Sequence, residues 1–270
     1  MNSLVQQVQS LAQAAGGVIL PYFSQSVAFD CKADGSPVTL ADKAADEFIC
    51  AGLQRLTPDT PILSEETLIP VSQQERLSWQ KLWLVDPLDG TRQFIRGDTG
   101  FSVNIALVEN HVPVLGVVYS PVDRVGYAAV RGMGAWRWDD NGQYPINVSA
   151  VQQSVRVITG FSATKRGVMT QTFLANLPKH TLIELGSAMK ICKVAEGSAD
   201  VYPRFGLTSE WDTAAAQIIL EEAGGALINL EGLALRYNER DILENPPFIA
   251  VGQLDYPWAL DAINVLMLKS

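Results

Sequence analysis

Two aspartates three residues apart, Asp86 and Asp89, close the apolar run Trp83-Leu84-Val85 and are followed at once by Gly90 and Thr91. Pro87 stiffens the turn between them by fixing its own φ. Two carboxylates at a strand end, with the Leu88 carbonyl exposed beside them, are hard oxygen ligands of the kind Mg²⁺ takes. Gly90 lets the backbone come close to a ligand, and Thr91 offers a hydroxyl where the next helix begins. The peptide N–H groups of Gly90 and Thr91 at that helix start suit a phosphate. An Asp-Gly turn capping a helix would explain the paired aspartates taken alone. The proline, the Gly-Thr pair and the strand before them favour the metal reading.

Other acids stand in similar settings. Pro61-Ile62-Leu63-Ser64 is an apolar strand running into Glu65 and Glu66. Adjacent side chains on an extended segment point opposite ways, so only one of these glutamates can face a given site. By itself the segment reads as a solvated pair, and it gains meaning only beside the aspartates. Further on, Glu210-Trp211-Asp212 opens a helix that ends at Gly224-Gly225. Asp212 is either an N-cap or a further ligand. The run Ala214–Ala216 permits close packing of the first helical turn, and Trp211 can wedge the aspartate in place. Of the two histidines, His111 and His180, neither lies in such a segment, so histidine general-base chemistry is not expected.

The frame that must position these residues is globular. An apolar fraction of 47% supplies a core, and 270 residues suit one unit or two fused lobes. The net charge of −9 argues against a nucleic-acid polymer as partner, because such binding needs a basic surface. It leaves room for a small phosphorylated ligand where bound cations reverse the local sign. No apolar run reaches the ~20 residues of a membrane span. Met1 to Phe23 lacks a basic leader region and reads as an amphipathic helix. Cys31, Cys50 and Cys192 are widely spaced and form no metal or redox pair, which fits unpaired thiols in the cytoplasm.

Periodicity predicts the elements. Leu4, Val8, Leu11, Ala15 and Ile19 recur at helical spacing, with Pro21 closing the segment. Thr39 caps a second helix with Ala41, Ala45, Phe48, Ile49 and Leu53 on its buried face, ending at Pro58. Strands are expected at 82–85, 102–108, 112–119 and 124–130, with a hairpin turn at Glu109-Asn110-His111. Beyond Ser149, strands at 155–159, 182–185, 201–202 and 226–229 alternate with helices at 170–177, 187–195 and 213–223. A closing helix is expected over Trp258–Leu268. An α+β lobe, residues 1–147, thus precedes an α/β lobe, residues 148–270.

Taken in order, Ser64-Glu65-Glu66, the D-P-L-D-G-T segment at 86–91 and the W-D-T-A-A…E-A-G-G segment at 211–225 resemble the signature of the inositol monophosphatase superfamily. Within it the chain is most similar to the bacterial 3′(2′),5′-bisphosphate nucleotidases, through Lys32–Asp42, Gly186–Lys190 and Ala195–Gly206. The resemblance spans nearly the whole chain. It implies a layered α/β/α/β/α sandwich of the inositol monophosphatase and fructose-1,6-bisphosphatase type. It also implies a lithium-sensitive, Mg²⁺-dependent phosphomonoesterase that converts 3′-phosphoadenosine 5′-phosphate to AMP and phosphate.

By the same resemblance, Glu65, Asp86, the Leu88 carbonyl and Thr91 surround one Mg²⁺, and Asp86, Asp89 and Asp212 a second. A third, weaker ion belongs near Glu65. Paired ions suit a phosphate monoester, whose hydrolysis needs charge neutralised on both the attacking and the leaving oxygen. Glu65 and Thr91 are assigned to water activation, with Asp42 assisting through Thr91 or a water. Lys190 and Arg204 are aimed at the substrate's second phosphate, with the Ser187 hydroxyl nearby and Gly90 and Arg92 as further contacts. Glu210 is expected to accept from a sugar hydroxyl. The chain departs from many relatives at Thr159–Lys165, where a histidine-bearing segment is replaced. Phe161 or Lys165 then contacts the nucleotide, or the preferred substrate differs. The rival activities are an inositol or sugar monophosphatase on the same metals, and a non-catalytic sensor of a phosphorylated ligand. Oligomeric state is not fixed by any of these residues.

Overall fold

The computed structural model describes residues 3–23, 29–31, 37–67, 72–151, 153–160 and 167–253. Helical spacing of apolar residues makes α1 (Ser3–Phe23), whose buried stripe includes Val5, Val8, Leu11, Ala15 and Ile19. Pro21 lies inside the last turn of α1 instead of ending it. A short antiparallel pair, β1 (Phe29–Cys31) and β2 (Pro37–Thr39), leads into α2 (Leu40–Leu56). Thr39 caps α2 as expected, in a reciprocal box with Asp42. Phe48, expected on the buried face, is 36% exposed, whereas Asp42 and Asp46 turn inward, one helical turn apart. Both acids find hydrogen-bond donors there, which is what permits the exchange.

A seven-stranded sheet follows, built in chain order from β3 (Ile62–Ser64), β4 (Lys81–Asp89), β5 (Ser102–Glu109), β6 (Val112–Ser120), β7 (Val125–Val130), β8 (Ala135–Asp139) and β9 (Gly142–Ile146). The β3–β4 pair is parallel and the others antiparallel. Two short helices interrupt it, α3 (Gln73–Leu77) before β4 and α4 (Thr91–Arg96) after it. The turn expected after Glu109 joins β5 to β6, with Asn110 and His111 both at positive φ (50° and 69°), the backbone twist that a tight hairpin requires. Strands β8 and β9 escape the sequence reading because glycines, acids and a proline interrupt their alternation, and β9 is an exposed edge.

A second, five-stranded sheet takes the order β11-β10-β12-β14-β13. Its elements are β10 (Val155–Thr159), α5 (Val168–Ala175), β11 (His180–Glu184), α6 (Met189–Ala195), β12 (Val201–Arg204), α7 (Glu210–Glu222), β13 (Ala226–Asn229) and β14 (Phe248–Val251). The alternation of strand and helix is as expected. Helix α7 starts a turn earlier than the apolar pattern indicates, at Glu210, and β14 was not anticipated. The closing helix over Trp258–Leu268 lies outside the described residues.

Side-chain alternation sorts these elements into layers. Trp83 and Val85 of β4 join the core under α1 and α2, while Leu82 and Leu84 face the opposite core with α6 and α7. Phe248 and Ala250 of β14 close that second core from the other side, and Ile249 and Val251 pack with Phe173 and Leu174 of α5. The result is the expected α/β/α/β/α sandwich, in which α7 lies between two sheets.

That central position leaves little room. A Cβ added at Gly116 of β6 would run into the Ala215 carbonyl oxygen and the Ile218 side chain of α7, so the alanine run does serve close packing. Gly116→Ala is therefore expected to destabilise the fold by about 1–3 kcal/mol through overpacking, as thermal unfolding would show. An unchanged melting temperature would mean that α7 shifts freely against the sheet.

Candidate active site

On a regular strand, residues three apart point to opposite faces, so Asp86 and Asp89 could not meet. Between them β4 slips by one residue against β5: Asp86 pairs with Asn104, but Asp89 pairs with Ser102. This bulge, at Pro87 and Leu88, turns both carboxylates to the same side. Asp86 Oδ1 accepts from the Leu88 N–H (3.0 Å), which fixes the turn. Asp89 Oδ2 accepts from Asn104 Nδ2 (3.2 Å) and from the Ala188 N–H, which ties the first sheet's turn to the loop before α6. Gly90 caps α4 in the left-handed region at φ 101°. A Cβ there would stand 3.0 Å from the Gly100 carbonyl oxygen.

The parallel register of β3 and β4 sets Ser64 against Val85 and so brings Glu65 alongside Asp86. The Glu65 N–H continues the ladder to the Val85 carbonyl (3.1 Å). From the second sheet's side, Asp212 arrives in the first turn of α7, where one of its oxygens accepts from the Ser209 N–H (2.8 Å). Asp212 is therefore not the N-cap, which is Ser209, but the third helical residue that closes the capping box, and it also joins the cluster. Glu65, Asp86 and Asp212 each offer a carboxylate oxygen within 4.8 Å of the others.

Such a cluster is electrostatically unfavourable without cations. Burial, then the charges of Glu65, Asp89 and Asp212, hold the Asp86 carboxyl well above its usual range. Asp212 is pushed up to about 7, first by burial and then by Asp89. Asp89 is also raised by burial, with Lys190 as the main opposing influence. Oxygen-only donors with this much mutual repulsion fit hard divalent ions such as Mg²⁺.

Thr91 and Asp42 meet as expected: the Thr91 hydroxyl donates to Asp42 Oδ1 (3.0 Å) and lies 3.3 Å from the Leu88 carbonyl oxygen. Asp42 is only 1% exposed, and burial raises its carboxyl despite the Thr39 hydrogen bonds.

Beside the cluster opens a cavity of about 690 Å³ lined from both sheets. Asp89, Gly90, Arg92, Ser187, Lys190 and Arg204 reach it, as the sequence led one to expect. Lys190 is buried; its Nζ donates to the Ser187 carbonyl and lies 5.2 Å from the Tyr202 ring centre. Burial lowers it to about 8, with Asp89 as the main opposing influence. Glu210 corrects its expectation. It is fully buried, accepting from the Asn238 N–H (2.6 Å) and Arg240 (3.4 Å), and does not line the cavity.

Among the wall residues that were missed, two are polar groups of note, Arg96 and Thr159. Arg96 stands one helical turn beyond Arg92, a spacing on α4 that could have disclosed it. Thr159 ends β10, where ligands of open α/β sheets gather. Its buried hydroxyl and the Nε of Arg204 have no hydrogen-bond partner among the described residues. Phe161 and Lys165 lie outside the described residues. The histidines play no part here. His111 Nδ1 meets the Tyr237 carbonyl at the far end of β5, and His180 sits at the end of β11 that pairs with Val155, away from Thr159.

Comparison with known proteins places this geometry. The model of the inositol monophosphatase family matches residues 1–260. The 3′(2′),5′-bisphosphate nucleotidase CysQ of Escherichia coli K12 is 42% identical over 247 residues, covering 91% of this chain and 98% of that protein. The Haemophilus influenzae protein of the same name is 35% identical over 260 residues, covering 94% and 95%. Among solved structures, CysQ from Bacteroides thetaiotaomicron, described as a bacterial member of the inositol monophosphatase family, superposes with a TM-score of 0.81 at 37% identity, covering 94% and 98%. An IMPase of Thermotoga maritima superposes equally well, 0.81, at 26% identity, covering 100% and 99%.

The raised carboxyls make metal binding a proton exchange. Mg²⁺ is expected to expel protons at pH 6, and fewer as pH rises past Asp212's value of about 7. Calorimetric titrations in buffers of different ionisation enthalpy would measure this. Identical heats in every buffer at every pH would contradict it.

Proposed function

The chain belongs to the inositol monophosphatase family, a family of phosphatases, and on that premise we propose that it is a Mg²⁺-dependent 3′(2′),5′-bisphosphate nucleotidase. It would remove the 3′-phosphate of 3′-phosphoadenosine 5′-phosphate, leaving AMP. The observation that carries this reading is a buried carboxylate cluster beside a cavity whose wall holds Arg92, Arg96, Lys190 and Arg204. In a chain of net charge −9, that is a local reversal of sign suited to a ligand with two phosphates.

Glu65, Asp86, the Leu88 carbonyl and Thr91 would hold one Mg²⁺, and Asp86, Asp89 and Asp212 a second, with a weaker third beside Glu65. Bound there, Mg²⁺ supplies charge neutralisation at the phosphoryl oxygens and lowers the pKa of the attacking water. Thr91 is set to orient that water, because its own proton is directed at Asp42. As the water oxygen bonds to phosphorus and the ester P–O bond breaks, one water proton would pass to Thr91 Oγ1 and the threonine proton to Asp42, while the departing 3′-oxygen would take a proton from a second water to become the hydroxyl of AMP. The burial that raises the Asp42 carboxyl makes it a better acceptor for that proton.

The second phosphate has partners in Arg92 and Arg96, which make no hydrogen bond or ion pair among the described residues and line the same cavity. Guanidinium groups suit phosphate by forked geometry. A substrate with one phosphate would leave them unused, which favours the bisphosphate over inositol or sugar monophosphates. Ser187, Gly90 and Thr159 complete the contacts. The cytoplasm is the proposed compartment, in keeping with the free thiols of Cys31, Cys50 and Cys192.

Phosphate release with Mg²⁺ from 3′-phosphoadenosine 5′-phosphate, inositol 1-phosphate, fructose 1,6-bisphosphate and AMP tests the reading. A preference for the first, suppressed by lithium, is expected. A preference for inositol phosphate would keep the metal site and overturn the substrate; no turnover would leave a ligand sensor. Asp89→Asn and Asp212→Asn should each lower the rate about 100-fold or more, and near-normal activity would remove that residue from the metal site.

A further inference from the structure

We propose that Asp46 is the positioning residue that aims Glu65 at the metal cluster. The inference rests on the reading of Glu65 as a metal ligand. Helix α2 turns two acids inward on adjacent turns, Asp42 at 1% and Asp46 at 3% exposure. Asp42 serves Thr91, but the chemistry above leaves Asp46 without a role. Its carboxylate is nonetheless fully engaged. Oδ1 accepts from the Ser64 hydroxyl and from the Cys50 thiol (3.4 Å), and Oδ2 accepts from the Thr67 hydroxyl.

Ser64 and Thr67 bracket Glu65 and Glu66. Ser64 is the last residue of β3 and is held by the sheet, but Thr67 lies beyond the strand and is exposed. One carboxylate therefore tethers both ends of the turn that carries the two glutamates. Of the two glutamates only Glu65 joins Asp86 and Asp212, so a rotation of this turn would draw it away from them. The tether removes that freedom. It also explains why an acid is buried at this point of α2, since it meets three donors that no apolar residue could satisfy. One helix thus orients two loops, through Asp42 after β4 and through Asp46 after β3.

Thr67 allows a clean test because it is exposed, so Thr67→Val removes one arm of the tether without disturbing the core. Mg²⁺ binding, measured by calorimetry without substrate, should weaken about tenfold in Thr67→Val and at least as much in Asp46→Asn, the usual range for loss of a group that orients a ligand. The half-saturating Mg²⁺ for turnover should rise in parallel, with kcat at saturating Mg²⁺ within about threefold of the parent. Thr67→Ser should bind as the parent does, and the unfolding temperature of Thr67→Val in EDTA should not move. Glu65→Gln is the control. If it weakens Mg²⁺ binding while Thr67→Val does not, the tether is refuted. If Glu65→Gln leaves binding unchanged, the ligand reading of Glu65 has failed instead. Should Asp46→Asn not fold, Thr67→Val decides alone.

Discussion

Four carboxylates, Glu65, Asp86, Asp89 and Asp212, converge from three separate elements on one largely buried place, and their mutual repulsion is the constraint around which the rest is arranged. Burial and like charge both oppose ionisation. Among the described residues Lys190 and Arg204 both act on Asp89, but Lys190 is buried and lowered to about 8, so the relief is partial. Divalent ions would relieve that repulsion, and on the proposed function an ester with doubly charged phosphate is what they would then attract.

Each scaffold feature near the cluster answers the problem of holding like charges together. The one-residue slip in β4 turns two aspartates to the same side. The single parallel pairing in the first sheet brings Glu65 to Asp86 in register. The hydrogen bond from the Ser209 N–H fixes Asp212, and that from the Ala188 N–H fixes Asp89 and draws the second sheet's loop onto the first. Gly186 permits that approach, since a Cβ there would collide with the Gly100 carbonyl. Cavity and carboxylate cluster are therefore not independent parts, because Asp89 and Asp212 belong to both.

Much of this was legible in the sequence. The D-P-L-D-G-T run, with its preceding apolar strand, disclosed the turn, and helical and strand periods disclosed most of the elements, while their layering came from the family resemblance. What stayed hidden depends on distant partners. Asp46 looks like a solvated acid on α2, and only Ser64 and Thr67 make its burial intelligible, whereas Asp42 was marked by the resemblance and meets Thr91. Glu210 looked like a ligand contact because it lies two residues before Asp212, but helical geometry turns it away, toward Asn238. Arg96 and Thr159 belong to the cavity through a helix turn and a strand end, which no single motif marks. Strands β8 and β9 lack clean alternation because β9 is an edge with one buried residue, Ile146.

Anomalous diffraction from crystals equilibrated with Mn²⁺, an electron-rich and anomalously scattering stand-in for Mg²⁺, would test the central claim most directly. Two adjacent peaks are expected, one among Glu65, Asp86 and the Leu88 carbonyl, the other among Asp86, Asp89 and Asp212, separated by about 3.5–4 Å as in paired-ion phosphatases. Mn²⁺ bound elsewhere, with these carboxylates free of it at saturating concentration, would contradict the account.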